Sequence, residues 1–323
     1  MLNEGLPQTT ILPFSYYLNQ RPSQMNQFPQ LPLEAWEASK ITLHLWLQIV
    51  GKVKLNLMPK RNHWWNITFL LCPKGLTSGP IPQDEGSFQI DFNFIDHQLE
   101  INTSWGKEES FALVDGLSVA KFHHQFFRAL EKLDIQAEII PIPYDHPSKE
   151  PFAKCETYKS YNPEYVNRFW NILIQVDNIF REFSGLYYGK VSPSQLYWHH
   201  MDLAVTRFSG KRGPELPNSS TIADKEAYSH EVISAGFWAG DETVRGAAFY
   251  SYTYPSPEGL DKEPLEPSGA NWIEANGSPM AMLMYDDLIK EADPRKALLD
   301  FLQSSFKAGA KLAHWPEGLA IDA

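Results

Sequence analysis

The chain has 323 residues, 43% of them hydrophobic, and a formal net charge of −11, which is apolar material enough for one large domain or two modest ones. The acidic balance, with a pI of about 5.4, argues against nucleic acid as the main partner, since phosphate binding needs clustered Lys and Arg. Cys72 and Cys155 have no metal-type spacing, and no run approaches the roughly 18 apolar residues that cross a bilayer. With no signal-peptide pattern at Met1–Asn26, the expectation is a cytoplasmic protein without a membrane partner.

Residues 1–34 are rich in Pro, Gln and Asn and read as an N-terminal arm. Leu43, Trp46, Leu47 and Val50 share a helical face, and Gly51 is expected to end that helix. Strands follow. Trp65, Ile67, Phe69 and Leu71 alternate with more polar positions, as do Phe88, Ile90, Phe92 and Phe94. Asp96-His97 predicts a hairpin turn into Leu99–Thr103, and Phe111–Val114 another short strand. Ser118 caps an amphipathic helix from Val119 to Leu133, and Ala137–Ile142 reads as a strand.

Residues 146–161 carry Pro147, Pro151 and several charges and read as a linker. Asn162-Pro163 starts a helix that runs to about Phe183. Leu196–Phe208, Glu231–Trp238 and Gly246–Tyr254 are strand blocks, and Asp293-Pro294 opens a last helix.

The chain also repeats itself. Trp64 precedes Gly79-Pro80 at the same interval at which Trp198 precedes Gly213-Pro214, and Gly51-Lys52-Val53 is echoed by Gly189-Lys190-Val191. The expected architecture is α+β: an internal duplication of a helix–antiparallel strands–helix unit, over residues 35–145 and 162–323, with the two halves packed together.

Candidate chemistry concentrates in the second copy. Where the first has Trp65, Asn66 and Thr68, the second has His199, His200 and Asp202, followed by Arg207, Ser209 and His230-Glu231. The leading expectation is an intracellular enzyme or ligand-handling protein, whose cleft between the halves would take a small, anionic, partly aromatic or apolar molecule. Lys52, Lys190 and Arg207 would neutralise the anion, Trp64, Trp198 and Trp238 would form walls, and His63 would join them from the first copy. His230 with Glu231 or Asp202 would move protons. His199, Asp202, His230, Glu231 and His63 also make a respectable N/O donor set for a metallohydrolase. Adjacent strand residues point to opposite faces, however, and no His-Glu-x-x-His spacing is present, so no metal ligand is assigned. No dinucleotide fingerprint is present, and the cofactor stays open. A non-catalytic module whose polar core residues fix strand register is the main alternative. His44 and Gln48, one turn apart on α-helical spacing, suit a buried network or a site wall.

Several long words carry a family resemblance: Leu43–Lys52 (LHLWLQIVGK), His63-Trp64-Trp65, Ile90–His97 (IDFNFIDH), Asp202–Gly210 (DLAVTRFSG) and Tyr228–Glu231 (YSHE). In these the chain resembles an uncharacterised bacterial family of about this length, catalogued only as a domain of unknown function. The resemblance covers nearly everything after the arm. It implies a soluble bacterial protein and brings no catalytic residue with it.

Overall fold

The structure, a computed structural model, describes residues 28–320. Most of the expected arm lies outside the described residues. Its last part docks on the body: Leu31 and Leu33 are buried, and the Tyr285 hydroxyl donates to the Pro29 carbonyl at 2.7 Å.

Helix α1, Glu37–Leu57, does not end at Gly51. That glycine makes room rather than terminating the helix, because a Cβ there would lie 2.4 Å from the Trp198 ring. Leu43, Leu45, Trp46, Leu47, Ile49 and Val50 are all buried. A helix apolar all round is a central one, and α1 is packed on every side.

Six short to medium strands follow: β1 (Leu70–Cys72), β2 (Gly75–Thr77), β3 (Ile81–Gln83), β4 (Gly86–Asn93), β5 (Gln98–Thr103) and β6 (Glu108–Ala112). Helix α2, Val119–Lys132, starts where Ser118 Oγ accepts from the Lys121 N–H. The strand expected at Ala137–Ile142 is not formed; Ile140 and Ile142 face solvent, at 64% and 37% exposure, and find no sheet edge to pair with. Asn162 caps helix α3, Pro163–Gly185, as its Asn-Pro start predicts. Beyond it come β7 (Gln195–Tyr197), β8 (Asp202–Arg212), the short α4 (Ile222–Ala227), β9 (His230–Trp238), β10 (Ala248–Tyr254), β11 (Asn271–Ala275), β12 (Ser278–Met284), α5 (Tyr285–Leu288) and α6 (Pro294–Leu312).

The strands form two 6-stranded antiparallel sheets. The first has the order β1-β2-β4-β5-β6 with β3 on β4, and the second β11-β12-β10-β9-β8-β7. Their inner edges meet at one point, where Phe69 and Leu196 exchange backbone hydrogen bonds of 2.9 and 2.8 Å. Helices pack against the sheets: Phe122 of α2 stacks on Phe92 of β4, and Phe169 of α3 on Phe237 of β9. One apolar cluster runs through both halves. The architecture is α+β. The literal sequence matches fall in unlike settings, since Gly51-Lys52-Val53 lies inside α1 while Gly189-Lys190-Val191 lies in the loop after α3. No described helix is long and apolar enough to cross a membrane.

Candidate functional site

Away from the helices, the two sheets present very different faces. On the first sheet, Asp91 sits opposite Glu100, which sits opposite Ser110, an ordinary polar surface. On the second, cross-strand pairing brings Tyr250 next to Gly236, Tyr252 next to Ser234 and Tyr254 next to Val232. Alternation along β8 places Thr206 and Phe208 on this face, while Val205 and Arg207 point to the helices. Tyr228 leans over the face, its ring 4.8 Å from that of Tyr254 and its hydroxyl 3.1 Å from that of Tyr252. Thr206 and Ser234 share a hydrogen bond of 2.9 Å across the strands. The result is a half-buried aromatic surface studded with hydroxyls.

A basic corner closes one end. The turn before β1 reaches over from the first half, with His63 and Trp64 both in the left-handed region at φ 55° and 61°. Left-handed geometry costs a non-glycine residue roughly 1–2 kcal/mol, so two in succession require compensation. His63 is buried, donates from Nδ1 to the Ala227 carbonyl (3.2 Å) and accepts at Nε2 from the Lys190 ammonium (2.7 Å). Those two bonds fix its tautomer. Lys190 is itself held over the Phe208 ring at 4.6 Å and the Trp65 ring at 5.3 Å, a cation–π seat. The backbone N–H of Phe208 donates to the Lys190 carbonyl, which fixes the base of the side chain.

His230 completes the corner, 5.7 Å from His63 ring to ring and paired across the strands with Arg212. Burial, then the Lys190 charge, pushes the His63 pKa below its ordinary value. Burial, then Lys190 and Arg212, does the same for His230. Among the described residues no carboxylate lies within ion-pair distance of Lys190 or Arg212. Two recesses of about 410 Å³ elsewhere, one beside Glu34, Glu37 and Asp115 and one beside Asp84, Glu85 and Asp134, are lined by no basic side chain.

The structure therefore unites His63, Lys190 and His230, and separates the rest. Asp202 stands at the far end of the face. Leu203 pairs with Phe237, so Asp202 is level with Trp238, eight residues along β9 from His230, which at about 3.3 Å per residue is about 26 Å along the strand. Glu231 points to the opposite face from His230 and accepts from the Ser209 hydroxyl at 2.7 Å. The expected proton-transfer set of His230, Glu231 and Asp202 does not converge, and neither does the wider metal set. Among the described residues no group of three or more His, Cys, Asp or Glu could hold a metal ion.

Arg207 lies on the helix side, fully buried over the Phe183 ring at 3.4 Å, on the opposite face of β8 from the basic corner. Lys52 and Trp198 are buried at α1, the ammonium 5.9 Å from the indole, with no share in the aromatic face. Trp64 packs beneath the Lys60 ammonium at 5.6 Å. Trp238 does lie on the face, its ring 5.6 Å from Tyr250.

His44 and Gln48 belong to a network at the junction of the halves. Gln48 clamps the Tyr144 backbone, donating to its carbonyl (3.0 Å) and accepting from its N–H (2.7 Å). His44 donates to the His199 carbonyl at 3.0 Å. The residues that sequence reasoning missed are Tyr250, Tyr252, Tyr228, Trp65 and Phe208. The signal was present as Tyr250-x-Tyr252-x-Tyr254, which puts three phenols on one strand face.

A family model described as a family of unknown function (DUF5996) matches residues 28–320. No curated protein and no solved structure matches. That span is most of the chain, and the protein belongs to this family.

Proposed function

We propose that the protein binds a small organic anion, seated at the His63–Lys190–His230 corner with its apolar or aromatic body on the outer face of the second sheet. The observation that carries this reading is that, among the described residues, Lys190 has no carboxylate within ion-pair distance, the neighbouring Glu226 being paired with Lys60. Lys190 is held by ring faces and by a neutral imidazole, and its ammonium keeps donors to spare. An incoming carboxylate or phosphate would find a positive field, two histidines able to take up a proton, and Trp65 and Phe208 as walls. The strained His63-Trp64 turn supports the same reading, since it is what delivers His63 and Trp65 to the corner.

Binding is proposed rather than turnover, because neither Glu231 nor Asp202, the carboxylates expected to work with His230, reaches the corner. The polar residues at α1 and behind β8, namely Lys52, Gln48, His44 and Arg207, instead fit the structural role. Isothermal titration with phenyl phosphate and with benzoate tests the proposal. The expected result is saturable binding, weakened at least about tenfold by Lys190→Ala, the loss of one charge-assisted contact, with the melting temperature unchanged. Equal affinity in wild type and Lys190→Ala would sink it.

A further inference from the structure

At the other end of the face, Asp202 sits in surroundings that anion binding does not use. It opens β8 directly across from Tyr197 of β7. On its other side the pairing of Leu203 with Phe237 brings Trp238 of β9 alongside. Tyr250 reaches the carboxylate from one strand further, donating its hydroxyl to Oδ2 at 2.5 Å. It can do so because the strand between carries glycine: a Cβ on Gly236 would lie 2.3 Å from the Tyr250 ring and hydroxyl. Glycine weakens a central strand, so position 236 trades strand stability for the reach of Tyr250.

The second carboxylate oxygen, Oδ1, is buried and has no hydrogen-bond partner. Among the described residues no Lys or Arg lies within ion-pair distance of Asp202. Burial lifts its pKa above the usual carboxylate value, against the hydrogen bond from Tyr250 and the charge of His200. A carboxylate with no lysine or arginine beside it, bonded by Tyr250 and flanked on the neighbouring strands by Tyr197 and Trp238, offers negative charge and aromatic neighbours together. An inorganic divalent ion would want several oxygen ligands, and none converge here. A neutral donor would satisfy Oδ1 and gain little from the rings. An alkylated ammonium gains from both.

We propose that this end of the sheet is a binding site for an organic ammonium group, with Asp202 supplying the charge and Tyr197, Trp238 and Tyr250 the aromatic cage. Asp202 lies at the opposite end of the strand face from His230, and the proposal does not rest on the anion reading.

Choline and its uncharged isostere 3,3-dimethyl-1-butanol, titrated calorimetrically into the full chain, test it. Choline is expected to bind at least about tenfold more tightly than the alcohol, the scale of a desolvated cation–π contact with a carboxylate beside it. Asp202→Asn keeps an acceptor for the Tyr250 hydroxyl and removes the charge. It should abolish that preference while leaving phenyl phosphate binding unchanged. Should Asp202→Asn fail to fold, Trp238→Leu carries the test, with choline expected to weaken several-fold and the alcohol much less. Equal binding of the two probes by the wild type, no choline binding at all, or a preference that survives Asp202→Asn overturns the assignment.

Discussion

Replacing Arg207 with methionine should leave the protein as stable as the wild type or make it more stable. The guanidinium is 0% exposed. One donor nitrogen bonds the Phe183 carbonyl, while Nε and Nη1 have no partner. Burial draws its pKa from 12.5 down to about 9, which at 1.36 kcal/mol per unit is roughly 5 kcal/mol against the charged form. The ring faces of Phe183 at 3.4 Å, Phe306 at 4.3 Å and Tyr187 at 5.0 Å offset much of this, at up to about 2 kcal/mol for a desolvated contact.

The remainder is a small net penalty. Methionine keeps the length of the apolar stem, removes the charge, and strands one carbonyl at about 1 kcal/mol. The expected change is between zero and about 2 kcal/mol of added stability, in line with apolar replacement of buried ions. Arg207→Ala instead opens a cavity and should lose about 2–5 kcal/mol. Urea denaturation followed by tryptophan fluorescence, with unchanged m-values, measures both. If Arg207→Met lost as much as Arg207→Ala, the charge itself would be holding the fold and the argument would be wrong. Phosphate-dependent stabilisation that vanished in Arg207→Met would return Arg207 to the anion-binding role its sequence context suggested.

Three further outcomes follow from the same geometry. Burial pushes the pKa of His44 down to about 4 and of His199 to about 3, both below the unfolded 6.5; their stability contribution is complete above 6.5 and is lost as pH falls, by roughly 2 kcal/mol each at pH 5. His44→Gln should remove about half of that acid sensitivity in pH-dependent melts, and an unchanged pH profile would refute it. At the basic corner the sign reverses for ligand binding. An anion raises the depressed pKa values of His63 and His230, so benzoate, which stays ionised there, should bind more tightly as pH falls through the mildly acidic range, and a flat titration series would contradict this. Gln48→Leu removes both clamps on the Tyr144 backbone and should cost about 2–4 kcal/mol, with amide exchange accelerating at Tyr144 before the global transition.

Much of the architecture was legible because its signals are local. Period-two alternation in β4 and the Ser118, Asn162 and Asp293 caps each act within a few residues, and each element appears where its pattern predicts. Gly51 misled because its reason is tertiary: the residue that needs its missing Cβ is Trp198, far along the chain. The strand expected at Ala137–Ile142 failed for a similar reason, since alternation supplies a face but not a partner edge.

The site was half legible. Lys190 reads as an anion ligand, His63 as a binding residue and His230 as a proton-transfer group; the three do meet, yet their meeting depends on two left-handed residues that no periodicity announces. Arg207 and Lys52 carry the same charge, and their seats beneath aromatic rings follow only from strand phase and helix burial. Asp202 groups with His230 in the sequence because both are ionisable and close in the pattern. The strand register places them at opposite ends of one face.

The measurement that addresses the central claim most directly uses the 10 tryptophans as reporters spread through the molecule. In protein carrying ¹⁵N-labelled tryptophan, each indole N–H gives its own signal during a titration with phenyl phosphate. Trp65 faces the Lys190 ammonium, Trp105 lies exposed on the first half, and Trp36 and Trp46 are in the core. The account predicts a saturable shift at Trp65, little change at the other three, and loss of the Trp65 shift in Lys190→Ala. A stationary Trp65 while Trp105 moves, or a Trp65 shift that persists in Lys190→Ala, would contradict it.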